Sequence, residues 1–389
     1  MDYVYIDKTE QLPAVSTAIA NASQYIAFDT EFMRQTTYYP VLCLLQLCVD
    51  DKVYLIDVIA LKSIESIISA IVDSTLPVIC HAGSEDMEII THYARKYGLS
   101  RLYPQKFFDV QTAHAFVGGN LQVGLSTLVK EYLNITLEKT ETRSDWEQRP
   151  LTEEQLAYAV EDVIYLKKLY DVFLTRLKEK PQLLDILTAE QEDAARHYTE
   201  VRNADTTYLK MKGTGKFNPK KLRILQALCN LRHNVCVFDN IPLSFFMKNT
   251  VIVKLVDKGI FNPSSLISTG VPYQIVKKYG NSIIQTATKA ANDKNFPVLR
   301  TYDVVNQSPD LRDIKKSLEN YIRRKTGHYG IAKDLLISKR LLEDFIYTVI
   351  YGNGCPAIIE RGWRGEILGN LDHFRDKILL TIQEGKVKP

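Results

Sequence analysis

The stretch from residue 25 to 58 constrains this chain more than any other. Val41–Val49 (VLCLLQLCV) is a nearly continuous apolar run, the pattern of a strand buried on both faces. Tyr25–Phe32 (YIAFDTEF) before it and Val53–Val58 (VYLIDV) after it read as strands too, with Asp50-Asp51-Lys52 as a turn. Turns this short join antiparallel neighbours, so the segments predict a meander. Strand and helix patterns then alternate: a helix over Leu61–Val72, a strand over Leu76–Cys80, a helix from Ser84, read as its N-cap, to Tyr97, and a strand over Phe107–Val110. Ala113–Tyr132 predicts a helix broken near Gly118-Gly119, and Leu137–Pro150 a polar loop. Thr152-Glu153-Glu154-Gln155 has the spacing of a capping box and opens a helix expected to reach Leu177. A meander followed by such units predicts an α/β domain, a mixed five- to six-stranded sheet with flanking helices.

Past residue 183 the strand patterns stop. Helical segments follow, punctuated by Gly213-Thr214-Gly215, Asn295-Phe296-Pro297 and Ser308-Pro309. The expected organisation is residues 1–183 as the α/β domain, 184–213 as a helical connector, and 214–294 and 305–385 as two all-α bundles of similar length and punctuation. A chain of 389 residues has room for two or three such domains.

Charge divides the chain in the same way. The net charge is only +3, but residues 201–389 hold 31 Lys and Arg against 16 Asp and Glu, whereas residues 1–200 hold 18 against 30. Within 201–300 the count is 16 against 4. That asymmetry predicts a polyanionic partner gripped by the second half; the plainer alternative is a solvated basic surface. Six cysteines without a C-x-x-C, three of them in apolar runs, argue against a disulfide or zinc framework and for a reducing compartment. The N-terminus (MDYVYIDKTE) lacks the basic-then-apolar order of a signal peptide. No run approaches the ~18 apolar residues of a membrane span. A cytoplasmic protein without membrane association is expected, acting as a monomer. No Gly-rich phosphate loop is present, so no nucleotide cofactor is expected.

Four carboxylates and a tyrosine carry the chemistry. Asp29 and Glu31 are two apart on a strand, so both point to one face. Asp86 falls in the first turn of the helix after Cys80. Tyr158 and Asp162 are four apart on the capped helix and share a side. On that helix Leu156, Val160, Val163 and Tyr170 read as the core stripe, with Tyr158 and Asp162 nearly opposite and free to face a cleft. Clustered carboxylates repel unless cations neutralise them, and an all-oxygen set suits Mg²⁺ or Mn²⁺. Two such ions about 4 Å apart can serve phosphodiester hydrolysis. Each motif alone has a bland reading: a solvated pair, a residue complementing a helix dipole, a common helical spacing. Asp57 and Asp109 read as turn or cap residues, and His81 as a packed or hydrogen-bonded side chain.

In this order, Phe28–Phe32 (FDTEF), His81–Asp86 (HAGSED) and Tyr158–Asp162 (YAVED) resemble the three exonuclease motifs of the DEDD superfamily. Tyrosine four residues before the last aspartate is the mark of its DEDDy branch. The stretches FDTEFMRQTTYYPVLCLLQL and LEKTETRSDWEQRPLTEEQLAYAVEDV resemble the ribonuclease D family in particular, and the two bundles resemble HRDC domains, 214–294 more closely than 305–385. The resemblance implies an RNase H-like fold, removal of nucleoside monophosphates from RNA in the 3′→5′ direction, and trimming of tRNA precursors and other small structured RNAs. It implies that Asp29, Glu31, Asp86 and Asp162 hold two divalent metal ions (Mg²⁺ or Mn²⁺) and that Tyr158 positions the attacking water.

For holding RNA, Lys139, Arg143 and Trp146 in the polar loop and Arg34 after the first motif are candidates, Trp146 doubling as a possible core anchor. In the basic half, lysines interleave with aromatics, as in Lys277-Lys278-Tyr279 and Lys216-Phe217. The competing functions are a 3′-5′ exonuclease acting on DNA and a non-catalytic RNA-binding scaffold.

Overall fold

The computed structural model describes residues 2–137, 144–199, 204–293, 305, 308–351, 359 and 362–387. Among them β1 (Tyr3–Ile6), β2 (Ile26–Met33), β3 (Val41–Val49), β4 (Lys52–Asp57), β5 (Pro77–Cys80) and β6 (Lys106–Asp109) form one sheet of order β1-β4-β3-β2-β5-β6. β2, β3 and β4 are antiparallel as expected, and the remaining pairings are parallel. β1 escapes the sequence reading because four residues in a polar terminus give too little alternation; pairing with β4 makes it a strand. Asp50 and Asp51 form the β3–β4 turn at φ 43° and 71°, the left-handed pair that a tight hairpin requires. The Asp50 carboxylate accepts from the backbone N–H of Ser23 at 2.7 Å and Gln24 at 3.0 Å, which anchors the approach to β2.

Register decides what each face carries. Phe28, Leu45, Leu47, Tyr54 and Ile56 are buried with Val15 and Ile19 of α1 (Leu12–Ala20), Ile67 and Ile71 of α2 (Glu65–Asp73), and Met87 and Ile90 of α3 (Ser84–Lys96). Burying each such aliphatic or aromatic side chain contributes about 1.5–3 kcal/mol. On the opposite face Asp29 stands across from Gln46 and Glu31 across from Leu44, which in turn faces Asp57.

The segments after β6 cover that second face and the sheet's far end. α4 (Val110–Phe116) is capped by Asp109, whose carboxylate accepts from Gln111 N at 2.8 Å, and α5 (Leu125–Leu133) follows. The break between them lies where expected. A Cβ at Gly119 would fall 2.1 Å from the His114 ring, so only glycine fits there. α6 (Glu153–Ile164) begins with the predicted capping box: Thr152 Oγ1 accepts from Gln155 N at 3.2 Å, and Gln155 Oε1 accepts from Thr152 N at 2.9 Å. The helix expected to run on to Leu177 instead breaks at Tyr165, giving α7 (Leu166–Lys178). Tertiary contacts account for the break, since α6 packs over β2, β3 and β4 whereas α7 packs toward β5 and α4. α8 (Pro181–Tyr198) follows, and Gln191 Nε2 donates to Asp109 O at 2.9 Å. Ser84 is not a cap: α3 starts at Ser84 with Gly83 in the N-cap position and no side-chain capping bond.

The chain divides into two compact units. One comprises Met1–Met33, Pro40–Glu200 and Thr326–Leu336, the other Arg34–Tyr39, Val201–Lys325 and Ile337–Pro389. The second has a core of its own, built from α9 (Pro219–Asp239), α10 (Leu243–Phe246), α11 (Asn249–Lys258), α12 (Pro263–Thr269) and α13 (Tyr273–Asn292) around Leu225, Phe246, Leu255 and Ile283. Tyr38 packs on that core, and the N–H groups of Tyr38 and Tyr39 donate to Asn240 Oδ1, each at 3.1 Å. The succession α9, α10, α11 recurs ninety residues on as α14 (Pro309–Tyr329), α15 (Lys333–Leu336) and α16 (Lys339–Tyr351), followed by α17 (Gly362–Leu368) and α18 (Asp372–Gln383). All five described cysteines are free and buried. No helix among the described residues is long and apolar enough to cross a membrane.

Candidate active site

Asp29 and Glu31 project from β2 onto the face that α6 covers, just before a register irregularity between Glu31 and Phe32. The extra residue lies on β3: Glu31 pairs with Leu44 and Phe32 with Leu42. Bulges of this kind re-aim side chains beside reactive centres. α6 adds Asp162. One carboxylate oxygen from each of Asp29, Glu31 and Asp162 lies within 4.8 Å of the other two. Asp86 is not in this set; its Oδ1 is held by the Thr30 hydroxyl, on the strand between the two ligand candidates. It nevertheless acts on all three electrostatically.

The charges feel one another strongly. Burial, then Asp86, Asp162 and Glu31, push the Asp29 carboxyl well above its ordinary range. Burial, then Asp162 and Asp86, raise Glu31 to about 9. Burial, then Asp86 and Glu161, raise Asp162 to about 8, against a lowering hydrogen bond from Tyr158. Burial raises Asp86 to about 6, and its hydrogen bonds with Thr30 oppose that rise. A carboxylate group with this much mutual repulsion fits a divalent cation, which would remove the repulsion at a stroke. Asp162 Oδ2 is buried with no hydrogen-bond partner, a donor-free oxygen of the kind a cation takes up.

Tyr158 sits over the group. Burial, then Asp162, Glu31 and Asp29, push its phenol well above its ordinary range, so it stays protonated and donates to Asp162. The helix geometry differs from expectation in one respect. α6 buries Gln155, Ala159, Val160 and Val163, while Leu156 and Tyr170 are only half-buried. Tyr158 and Asp162 therefore flank the core stripe and do not oppose it. Because α6 lies on the sheet face that carries Asp29 and Glu31, the flank is what points at them.

The loop after β5 is fixed by residues that read as structural. Asp109 accepts from Ala82 N at 3.0 Å and Gly83 N at 3.3 Å, which holds the left-handed Ala82 (φ 53°) just before Asp86. His81 Nε2 is 2.8 Å from Val123 O. Asp57 is braced from the other side. Arg149 clasps it with two bonds, at 2.6 and 2.7 Å, and Tyr5 OH donates to it at 2.7 Å. The Arg149–Asp57 pair ties the segment before α6 to the end of β4, and nothing in the spacing of these residues announces it.

The RNA-contact candidates fare differently. Trp146 is only 2% exposed and its ring packs against Tyr158, 6.2 Å between centroids. It is a core anchor and cannot offer a base a free face, which corrects the expectation of a stacking platform. Arg34 is half-buried. Lys139 and Arg143 lie outside the described residues. Lys277 is exposed, but Lys278 is engaged with Asp239 at 2.8 Å, and Phe217 is buried in the helical core.

A family described as 3′-5′ exonuclease matches residues 3–178. Ribonuclease D of Haemophilus influenzae is 28% identical over 332 residues, 85% of this chain and 82% of its own length. Ribonuclease D of Escherichia coli is 26% identical over 383 residues, 96% of this chain and 98% of its own. The crystal structure of Escherichia coli RNase D superposes with a TM-score of 0.82 at 25% identity, covering 98% of this chain and 99% of that one. Over nearly its whole length the chain is similar to ribonuclease D proteins. The match to a 3′-5′ exonuclease family over residues 3–178 and to a structure described as an exoribonuclease gives this chain the class of a 3′-5′ exoribonuclease, and the carboxylate group lies within the matched segment. The match with a ribonuclease D structure runs through the helical second half as well as through the sheet.

Proposed function

We propose that this protein removes nucleoside 5′-monophosphates from the 3′ ends of tRNA precursors and other small structured RNAs, with two divalent cations, Mg²⁺ or Mn²⁺, held by Asp29, Glu31, Asp86 and Asp162. The observation that carries the reading is the convergence of Asp29, Glu31 and Asp162 on a space small enough for one ion to touch all three. When bound, the cations neutralise the phosphate, ease deprotonation of the attacking water and stabilise the departing 3′ oxygen. The protein's own groups do the rest. Tyr158, kept protonated, donates to Asp162 and leaves its remaining lone pair to accept from the water, fixing where that water stands. Thr30 fixes Asp86, and the Asp57–Arg149 brace fixes the start of α6, so the two halves of the ligand set keep their separation.

We assign the α/β exonuclease domain to residues 1–183 and the holding of RNA to helical bundles at 214–294 and 305–385. Exposed Lys277 and the excess of positive charge in 201–389 support the second assignment. Contacts of that kind follow the phosphate backbone, so affinity should fall steeply with salt. The test is incubation with a 5′-labelled tRNA precursor bearing a 3′ extension, with Mg²⁺ or with EDTA, beside a DNA of the same sequence. A metal-dependent ladder shortening from the 3′ end of the RNA is expected. Equal shortening of the DNA would overturn the substrate class, and no shortening with any divalent metal would overturn the mechanism.

A further inference from the structure

Gln46 is the one polar side chain in the apolar strand β3 other than its cysteines, and it is fully buried, 0% exposed. Neither its Nε2 nor its Oε1 has a hydrogen-bond partner. Burying an amide in this way costs on the order of 1–3 kcal/mol for each unpaired group. A leucine would avoid that cost, and leucines occupy the neighbouring positions Leu44 and Leu55 on the same face. A polar residue kept in such a place points to a task that packing does not set.

The register shows which group it serves. Gln46 stands directly opposite Asp29 in the β2–β3 pair, and facing residues of an antiparallel pair have Cβ atoms about 4.5–5.5 Å apart on the same side of the sheet. Leu55, on the other flank of Gln46, offers it no polar atom. Two further buried polar atoms without a partner belong to this neighbourhood. One is Asp162 Oδ2, in the same carboxylate group as Asp29; the other is Trp146 Nε1, whose ring packs on Tyr158. Unpaired buried atoms thus occur beside the carboxylates, as they also do in the helical half, for example at Gln226.

Resting on the reading of Asp29 as a cation ligand, we propose that Gln46 is a positioning residue: its amide, without a partner in the metal-free chain and opposite Asp29 in register, donates to the Asp29 carboxylate when a divalent cation binds and holds it in the orientation the cation requires. The chemistry suits the place. An amide donates without adding charge, so it supports a carboxylate without competing with the cation as a lysine or arginine would. A donor behind a ligand fixes its orientation, and loss of such a donor lowers metal affinity by about 10–100-fold. The first motif supplies the ligand, and the middle of the next strand supplies the support.

The test uses the full-length protein and Mn²⁺ alone as probe. Gln46→Met keeps the length and volume of the side chain and removes both amide groups; Gln46→Leu does the same with a branched chain. Free Mn²⁺ is followed by its electron paramagnetic resonance signal as wild type, Gln46→Met and Gln46→Leu are titrated, with Asp29→Asn as control. Both Gln46 variants should melt at or above the wild-type temperature and bind Mn²⁺ about tenfold more weakly. At limiting Mn²⁺ their kcat should fall in proportion, KM for RNA should stay put, and excess Mn²⁺ should restore kcat. A merely structural glutamine would not give rescue by metal. Wild-type Mn²⁺ affinity in Gln46→Met, with affinity lost in Asp29→Asn, would overturn the role of Gln46 and leave the cation site standing. Unchanged affinity in Asp29→Asn would instead overturn the cation reading itself. Failure of Gln46→Met to fold would make the amide a structural support and would count against the proposal.

Discussion

Toward α1, α2 and α3, strands β2–β4 present Phe28, Leu45, Leu47, Tyr54 and Ile56, all buried in one apolar cluster. Toward α6 the same strands present Asp29, Glu31, Gln46 and Asp57. The two faces are made by alternate residues of the same chain segments, yet one gathers apolar contacts and the other gathers polar groups, of which Asp57 is paired with Arg149 while Asp29 and Glu31 repel and Gln46 lacks a partner. Thr30 crosses the division: it belongs to the apolar side by alternation, and it holds Asp86. Stability and chemistry are thus separated by a single peptide step, which is possible because a strand sends successive side chains to opposite sides. The second face can tolerate its charge because the first supplies the folding energy.

The contrast can be broken from the charged side first. Asp162→Asn should lower kcat by 10⁴-fold or more, about 5.5 kcal/mol in the barrier, while the metal-free protein melts no lower than wild type because a repelling charge has gone. Turnover on labelled RNA and a thermal melt in EDTA test both halves; a tenth of wild-type activity remaining would sink the ligand assignment. Arg149→Ala comes next. It strands Asp57, whose side chain is 4% exposed, so the expected loss is about 3–5 kcal/mol by urea unfolding. Burial pushes the Asp57 carboxyl up, but the bonds from Arg149, Tyr5 and Ala60 outweigh it and hold the group below its ordinary value. Its contribution is therefore present above the usual carboxyl range and fades as pH falls through the lowered value, so wild type and Arg149→Ala should converge in acid.

On the apolar face Leu45→Ala should cost about 2–5 kcal/mol of stability and leave kcat of the folded fraction unchanged. A large drop in kcat there would show that the two faces are not separate after all. Tyr158→Phe should reduce kcat by about 10–100-fold with little change in melting temperature, and a loss equal to that of Asp162→Asn would mean the phenol does more than place water. The mildest test changes no residue. Glu31 is raised from an ordinary 4.5 to about 9 in the folded chain. A raised group stabilises fully below its unfolded value and progressively less as pH rises through its folded one. The melting temperature of the metal-free protein should therefore decline between about pH 4.5 and 9, and Mn²⁺ should remove the decline; a flat profile in EDTA would show that the charges are relieved by other means.

Much of this architecture can be read before folding. The apolar run of β3, the Asp50-Asp51 turn and the capping box at Thr152 each carry a local signal with one physical meaning, and each appears in the structure. Asp29 and Glu31 share a face because a strand repeats every two residues, and Tyr158 and Asp162 share a side because a helix nearly repeats every four. What escaped had no local signal. β1 is a strand only through β4, and the helix over 153–178 breaks only because its two parts serve different neighbours. Trp146 reads equally well as anchor or platform until its burial is known.

The sequence by itself determined the inventory: which strands are buried, which carboxylates exist and at what spacing, and which half is basic. Tertiary structure alone decided the meetings. It brought Asp162 to Asp29 across 133 residues of chain, set Asp86 apart on the Thr30 hydroxyl, clasped Arg149 on Asp57 and placed Gln46 opposite Asp29. Spacing rules reach only as far as one helix or one strand, because periodicity is a property of local backbone geometry. Which elements then face each other depends on how registers and apolar faces are buried together, a choice made by the whole core at once.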